Sequence, residues 1–206
     1  EAIGREFSAG INRIAAQNDP PDAFRVLVST IISLRTRDEV TFHASERLFA
    51  VADDPRAIST LTHERIAELI YPAGFYRNKA RQIHELSRIL LDRYGGTVPP
   101  DRDTLLTLPG VGRKTANLVL GLAFNIPAIC VDIHVHRISN RLGWVSTDTP
   151  EKTEFALMEI LPTDFWVPIN ELLVGFGQRI CTPQSPWCTR CPLADECPRV
   201  GVKRFR

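Results

Sequence analysis

The chain has 206 residues, of which 44% are hydrophobic and 24% charged, and its formal net charge at pH 7 is +1. This composition is typical of a folded globular protein and excludes a disordered chain, and no apolar run is long enough to cross a membrane. A net charge so close to zero also excludes nucleic-acid binding through overall charge, so any such binding has to be local.

Two stretches supply local positive charge. Residues 75–93 contain five cationic and two acidic side chains, and residues 179–206 contain six cationic and two acidic ones. Either stretch could contact phosphates or form an ordinary solvated surface, and charge alone leaves both interpretations open.

Apolar residues recur at helical spacing along most of the chain, and no segment alternates as a half-buried strand would. We therefore predict an all-α protein. The predicted helices cover residues 24–32, 38–50, 62–70, 79–94, 101–106, 114–124, 133–142, 150–161 and 167–180. Asp38, Thr62 and Asp101 are the predicted N-caps. Pro- and Gly-bearing junctions at Asp19-Pro-Pro21 and Asn125–Ala128 are the predicted domain boundaries.

A short hairpin, Leu108-Pro-Gly-Val-Gly112, joins two of these helices. We expect Gly110 and Gly112 to adopt backbone angles that a β-carbon would disfavour and to let a ligand approach closely. Their amides and the first amides of the next helix could bind a DNA phosphate. The alternative is a simple turn between packed helices.

A lysine follows the hairpin, in the segment Gly112-Arg-Lys-Thr-Ala116. Lys114 lies in the first turn of the new helix beside Arg113, and both the positive helix end and the guanidinium disfavour a protonated amine. A neutral amine is what a Schiff-base nucleophile requires. The alternative is an exposed lysine that is merely tolerated there.

An acidic residue follows eighteen positions later, in Val131-Asp-Ile-His-Val-His136. Asp132 precedes a helical segment, so capping that helix is its default role. If the return loop brings it beside Lys114, the carboxylate could also stabilise positive charge on a sugar and help to deprotonate the amine. His134 and His136 would point in different directions on a helix, which argues against a two-histidine metal site.

Four of the five cysteines fall in the last 26 residues, in the array Cys181-x6-Cys188-x2-Cys191-x5-Cys197. The fifth, Cys130, lies in an apolar run and is predicted to be a small core residue. An odd, end-clustered set is not typical of a disulfide framework. Four thiolates can bind zinc or an iron–sulfur cluster, and the irregular spacing, with Pro192 and Pro198 directly after ligands, favours the cluster.

Taken together, these motifs resemble the endonuclease III family of helix–hairpin–helix DNA glycosylases. The matching segments, in the same order and spacing, are Leu108-Pro-Gly-Val-Gly-Arg-Lys-Thr-Ala-Asn117, Val131-Asp-Ile-His134 and the cysteine array. The resemblance implies a two-domain helix–hairpin–helix glycosylase fold. A six-helix barrel domain would cover residues 21–127, and residues 1–20 and 128–206 would form a second helical domain. The cysteines Cys181, Cys188, Cys191 and Cys197 would hold a [4Fe-4S] cluster in that second domain.

The resemblance also implies an activity, that of a bifunctional DNA glycosylase and AP lyase. Such an enzyme excises oxidised or damaged pyrimidines from double-stranded DNA and nicks the abasic site by β-elimination. Lys114 would attack the sugar, Asp132 would be the catalytic carboxylate, and a cleft between the domains would hold the flipped nucleotide. Related branches that remove adenine or mismatched thymine have other residues in place of Lys114, so its presence favours the bifunctional type.

Family members insert side chains into the duplex to fill the gap that the extruded base leaves. The matching positions here are Arg35 and Phe75, where common members carry glutamine and leucine. Gly110, Gly112 and Arg113 complete the predicted DNA-binding set. A core aromatic is the alternative for Phe75. Because Arg35 departs from the pattern, its effect on the range of lesions stays open.

Two other functions compete with this one. The first is a catalytically silent protein that binds damaged DNA through the same hairpin, but a binder needs neither Lys114 nor Asp132. The second is a redox-responsive iron–sulfur protein, which no cofactor loop in the sequence favours. We expect a monomeric enzyme without membrane contact, located in the cytoplasm, or at the nucleoid of a bacterium or archaeon.

Overall fold

The computed structural model describes residues 10–206, and these residues form helices and no strand. The predicted all-α class is thereby confirmed. Contacts between α-carbons divide the described chain into two compact units, residues 10–126 and residues 127–206. No helix in residues 10–206 combines the length and the apolar character needed to span a membrane.

The first unit contains eight helices within its described residues. They are α1 Gly10–Ala15, α2 Ala23–Ser33, α3 Asp38–Phe49, α4 Pro55–Ser59, α5 His63–Ile70, α6 Tyr76–Tyr94, α7 Arg102–Leu106 and α8 Arg113–Phe124. The second unit contains three α-helices and two 3-10 turns. They are α9 Ile133–Arg141, α10 Pro150–Ile160, α11 Pro168–Arg179 and the turns Thr163–Phe165 and Cys188–Arg190.

Helix starts follow the local capping chemistry. The Thr62 hydroxyl accepts a hydrogen bond from the amide of Arg65 at 3.1 Å, and the Asp101 carboxylate accepts one from the amide of Thr104 at 2.8 Å, as predicted. The prediction that Asp38 caps α3 is wrong. Asp38 is the first helical residue, and Arg37 occupies the cap position without a side-chain hydrogen bond. A carboxylate there still favours the positive helix end.

Helix α2 forms the centre of the first unit. Its residues Val26, Leu27, Val28, Ile31 and Ile32 are fully buried, and it packs against α1, α3, α6 and α8. A helix that is apolar on most of its surface has to be surrounded in this way. Consequently α2 provides a fixed base for α8, which carries the candidate lysine.

The placement of α1 differs from the sequence-based domain assignment, which grouped residues 1–20 with the C-terminal part of the chain. Helix α1 packs on α2 and α3 within the first unit. The reason is burial, because Ile11 and Ile14 are only 8% and 1% exposed there. Residues 1–9 lie outside the described residues. The six-helix barrel at 21–127 stays a prediction.

The second unit has its own core, formed by α9, α10, α11 and the segment directly before α9. Its buried members are Ile129, Val131, Val135, Ile138, Leu157, Ile169 and Leu173. Cys130 is 2% exposed, so its prediction as a small core residue is confirmed. Helices α9 and α11 approach closely at Gly177, where an added β-carbon would lie 2.5 Å from Nδ1 of His134. This tight crossing fixes the start of the cysteine segment, which follows α11.

Candidate active site

The hairpin between α7 and α8 is a tight turn anchored by apolar residues. Leu108 and Val111 are buried, and the amide of Val111 donates to the carbonyl of Leu108 at 3.1 Å. Gly110 has a φ of +80°, and an added β-carbon would lie 3.0 Å from Oε1 of Gln82. The turn therefore requires glycine at position 110, as predicted.

Gly112 does not meet the same expectation. Its φ of −103° and ψ of 178° are accessible to any residue, so the prediction of a special backbone angle is wrong there. An added β-carbon would meet no atom within 4 Å. Gly112 is the exposed N-cap of α8 and makes no side-chain cap hydrogen bond. Its contribution is to leave the amino end of α8 sterically open.

Lys114 is the second residue of α8 and is exposed, and Arg113 before it is half-buried. The next three residues, Thr115, Ala116 and Asn117, are at most 1% exposed, and α8 packs on α2 and α7. The backbone of Lys114 is thus fixed by packing one residue away, while its side chain faces solvent. This is the arrangement that an accessible nucleophile requires.

Asp132 begins the second candidate element, α9. Its Oδ1 accepts hydrogen bonds from the amides of His134 at 2.8 Å and Val135 at 2.9 Å, which confirms the predicted N-cap. The side chain is half-buried. Because one carboxylate oxygen makes both cap bonds, the cap fixes the direction of the carboxylate without using its second oxygen.

The two predicted insertion residues lie next to each other in the first unit. Arg35 and Phe75 are both exposed, and the Arg35 guanidinium carbon is 5.4 Å from the centre of the Phe75 ring. Both residues have left-handed backbones, with φ of 53° and 57°. Phe75 is 60% exposed, so the alternative of a core aromatic is wrong. An exposed aromatic ring beside a guanidinium can stack on a base.

Sequence reasoning missed Lys79. This lysine belongs to the basic stretch 75–93, but it is only 4% exposed, and burial lowers its pKa to about 8. Its Nζ donates to the carbonyls of Ile32 at 2.7 Å and Leu34 at 2.5 Å and to Oγ1 of Thr36 at 2.9 Å. A signal was present, since Lys79 continues the apolar stripe of α6 that Ile83, Leu86 and Leu90 form.

All four C-terminal cysteines line one pocket in the second unit, together with residues of α9 and α11. Their sulfurs are free thiols. Arg141 holds this region by donating to Sγ of Cys181 at 3.3 Å and to the carbonyls of Thr182 and Pro183, each at 2.7 Å. Among residues 10–206, no three His, Cys, Asp or Glu side chains could hold a metal ion.

The charge state of Cys188 depends on its surroundings. Burial raises the pKa of Cys188, and the neighbouring Cys181, Cys191 and Cys197 raise it further, while Arg199 opposes them. Four thiolates in one pocket repel each other, so a cationic group among them would favour ionisation.

The fold and these positions can be compared with known proteins. The family of HhH-GPD superfamily base excision DNA repair proteins matches residues 28–163. Endonuclease III of Thermotoga maritima is 52% identical over 96% of this chain and 91% of its own length. The chain belongs to the HhH-GPD superfamily, in its endonuclease III family. This family assignment confirms the resemblance found in the sequence.

Solved structures agree with this family. A trapped covalent intermediate of endonuclease III with DNA has a TM-score of 0.82 and 37% identity and covers 92% of both chains. A thermostable thymine-DNA glycosylase has a TM-score of 0.77 and 27% identity, covering 92% of this chain and 93% of its own. The helix–hairpin–helix fold is therefore confirmed. The protein is an enzyme of base excision repair, a DNA glycosylase and AP lyase of the endonuclease III type.

Proposed function

We propose that this endonuclease III family enzyme excises oxidised or damaged pyrimidines from double-stranded DNA and nicks the resulting abasic site by β-elimination. The observation that carries the proposal is Lys114, an exposed amine in the first turn of α8, directly after the hairpin. A mismatch-specific glycosylase without lyase activity has no use for an amine at that position.

The proposed chemistry begins at the amine of Lys114. The nitrogen attacks C1′ of the flipped nucleotide, the bond from C1′ to the base breaks, and the base leaves with a proton. The resulting N,O-acetal opens as the bond from C1′ to O4′ breaks and O4′ takes up a proton, which leaves a Schiff base between Lys114 and C1′. Loss of a proton from C2′ then breaks the bond from C3′ to its phosphate oxygen, which cuts the strand. Hydrolysis of the Schiff base restores the amine.

Asp132 is the proposed partner of this amine. Its carboxylate would accept the proton that Lys114 loses and would stabilise the positive charge that develops on the sugar as the base departs. Its cap bonds to the amides of His134 and Val135 hold the carboxylate in one orientation. A fixed carboxylate loses less entropy when it acts than a mobile one does.

The hairpin is the proposed phosphate site. Gly110 allows the tight turn, Gly112 leaves the amino end of α8 sterically open so that its first amides could bind a phosphate oxygen, and Arg113 adds a positive charge. Such contacts carry no sequence information but set the register of the enzyme on the duplex. In this role they would place the damaged nucleotide at Lys114.

Phe75 and Arg35 are the proposed insertion residues. Phe75 is exposed and has a left-handed backbone conformation directly before α6. Its ring could wedge between base pairs in place of the extruded base. The Arg35 guanidinium has donors for the orphaned base opposite or for a phosphate. Guanidinium groups pair well with the acceptor-rich edge of guanine, so Arg35 is the residue through which the opposite base would affect activity.

The four cysteines of the second unit are the proposed ligands of a [4Fe-4S] cluster. The donor set fits such a cluster, because all four thiols line one pocket and thiolates are the usual ligands of its irons. The cluster, when bound, would supply positive charge for the four thiolates and cross-link residues 181–197. Arg141, through its bond to Sγ of Cys181, would tie that segment to α9.

Replacing one ligand tests the cluster. In Cys188→Ser we expect loss of the brown colour and of most of the bound iron, because a serine hydroxyl is a poor substitute for a thiolate. Iron analysis and visible absorbance of the purified protein measure both. Cys130→Ala is the matched control, since Cys130 is a core residue, and it should keep its iron. A colourless wild-type protein that contains zinc would contradict the assignment.

The activity is tested with oligonucleotide duplexes that carry one oxidised pyrimidine, one abasic site or no lesion. We expect base release and a strand cut with a 3′-unsaturated aldehyde end for the first duplex, the same cut for the second and no reaction for the third. Tight binding of the first two without any cut would instead identify a silent damage binder. That the enzyme acts as a monomer in the cytoplasm is part of the same proposal.

A further inference from the structure

Arg35 lies in the loop between α2 and α3, residues 34–37 (the Arg35 loop), and Phe75 lies in the loop between α5 and α6, residues 71–75 (the Phe75 loop). The backbones of these two loops pack directly against each other. An added β-carbon on Gly74 would lie 2.4 Å from the carbonyl oxygen of Arg35, so only glycine allows this contact. The amide of Gly74 also donates to Oγ1 of Thr36 at 3.0 Å. Neither loop can therefore move far without disturbing the other.

The Thr36 hydroxyl connects this pair of loops to Lys79. Its Oγ1 accepts from the Nζ of Lys79 as well as from Gly74. The two remaining Nζ bonds go to the carbonyls of Ile32 and Leu34, at the last turn and C-cap of α2. All three protons of the ammonium are thus used, and a cation at the carboxyl end of a helix is electrostatically favourable.

A buried ammonium is an unusual way to fill a core position. Desolvation opposes the charge, and an apolar side chain would serve packing alone at least as well, because Lys79 extends a stripe of Ile83, Leu86 and Leu90. Unlike an apolar side chain, the ammonium makes directional hydrogen bonds, and these all go to residues 32–36 and hold that segment in place. The loop it holds contains a non-glycine residue in the left-handed region, which needs support from its surroundings.

We propose that Lys79 is a positioning residue that joins the Arg35 loop and the Phe75 loop into one rigid unit, so that both side chains enter the duplex together. Because Lys79 is buried, its side chain is not available for a contact with DNA. The inference deepens the proposed function and rests on it, because it concerns recognition of the gap left by an extruded nucleotide.

The test compares Lys79→Met, Thr36→Val and Thr36→Ser with the wild type. Lys79→Met keeps the length and removes the donors, Thr36→Val keeps the shape and removes the bridging oxygen, and Thr36→Ser keeps that oxygen. The readout is binding to a duplex with one tetrahydrofuran abasic-site analogue and to the same duplex without it. Lys152→Met, which removes an exposed lysine paired with Asp148, is the control for charge.

We expect Lys79→Met and Thr36→Val to weaken binding to the analogue duplex about tenfold or more, with binding to undamaged duplex within about twofold of wild type. Thr36→Ser and Lys152→Met should bind both duplexes like the wild type. In the Phe75→Ala background, the loss from Lys79→Met should be clearly smaller than in the wild-type background, because an absent ring cannot be misplaced and only the Arg35 contact is left to lose. This coupling distinguishes positioning from a general loss of stability, which would add to the Phe75→Ala effect.

Three results would overturn the inference. The first is unchanged discrimination between the two duplexes in Lys79→Met. The second is equal weakening on both duplexes, and the third is full additivity with Phe75→Ala. If Lys79→Met does not fold, Thr36→Val and its serine control decide by the same criteria. If the wild type itself fails to prefer the analogue duplex, the proposed function fails and the inference with it, which is a different pattern from the other three.

Discussion

Lys114→Ala is expected to abolish the covalent adduct that borohydride traps on a duplex with an abasic site. Reduction by borohydride fixes the Schiff base, and without the amine no Schiff base forms, so trapping and strand cutting should fall at least about a thousandfold. The variant should fold normally, since Lys114 is exposed and exposed substitutions change stability by about 0.5 kcal/mol or less. Gel analysis of the adduct and a thermal melt check both expectations.

Two variants make this result specific. Lys114→Arg keeps a basic side chain of similar length but forms no Schiff base, so it should bind the abasic duplex and give no adduct. Lys152→Ala removes another exposed lysine and should trap like the wild type. An adduct that persists at wild-type level in Lys114→Ala would contradict the assignment of the nucleophile.

Asp132→Asn is expected to slow the release of an oxidised pyrimidine by about a hundredfold to ten-thousandfold. The loss should come from the missing negative charge, because an asparagine oxygen can still accept from the amides of His134 and Val135 and cap α9. Single-turnover base release at saturating enzyme separates this chemical effect from binding.

The chain offers a matched control for this variant. Asp22 caps α2 in the same manner, with Oδ1 accepting from the amides of Phe24 at 2.9 Å and Arg25 at 3.0 Å. Asp22→Asn therefore makes the same change at a similar cap and should leave base release within about twofold of wild type. If both variants lose activity equally, or if Asp132→Asn reacts at the wild-type rate, Asp132 has no catalytic role.

Features that depend on neighbouring residues could be predicted from the sequence. The caps at Thr62, Asp101 and Asp132 each join a side chain to an amide two or three positions later, so the local pattern determines them. The need for glycine at position 110 follows in the same way, from a turn of a few residues. The cysteine array could be recognised because its ligands fall within 17 consecutive residues.

Features that depend on distant residues could not be predicted. The acceptors of Lys79 lie 43 to 47 positions earlier in the chain, and Arg141 reaches Cys181 across 40 positions. The packing of α1 on α2 and α3 is likewise a tertiary contact, and it overrode the proline junction that indicated a boundary. Gly112 is a local feature that the motif predicts wrongly, because its backbone does not adopt the special angle that the glycine suggests.

The most direct measurement is the location of the trapped sugar on the protein. After borohydride reduction on an abasic duplex, nuclease and protease digestion followed by mass spectrometry identifies the modified peptide. We predict that the sugar remnant is attached to Nζ of Lys114 and to no other amine. A remnant on another lysine such as Lys152 or Lys203, or on the N-terminal amine, would contradict the account.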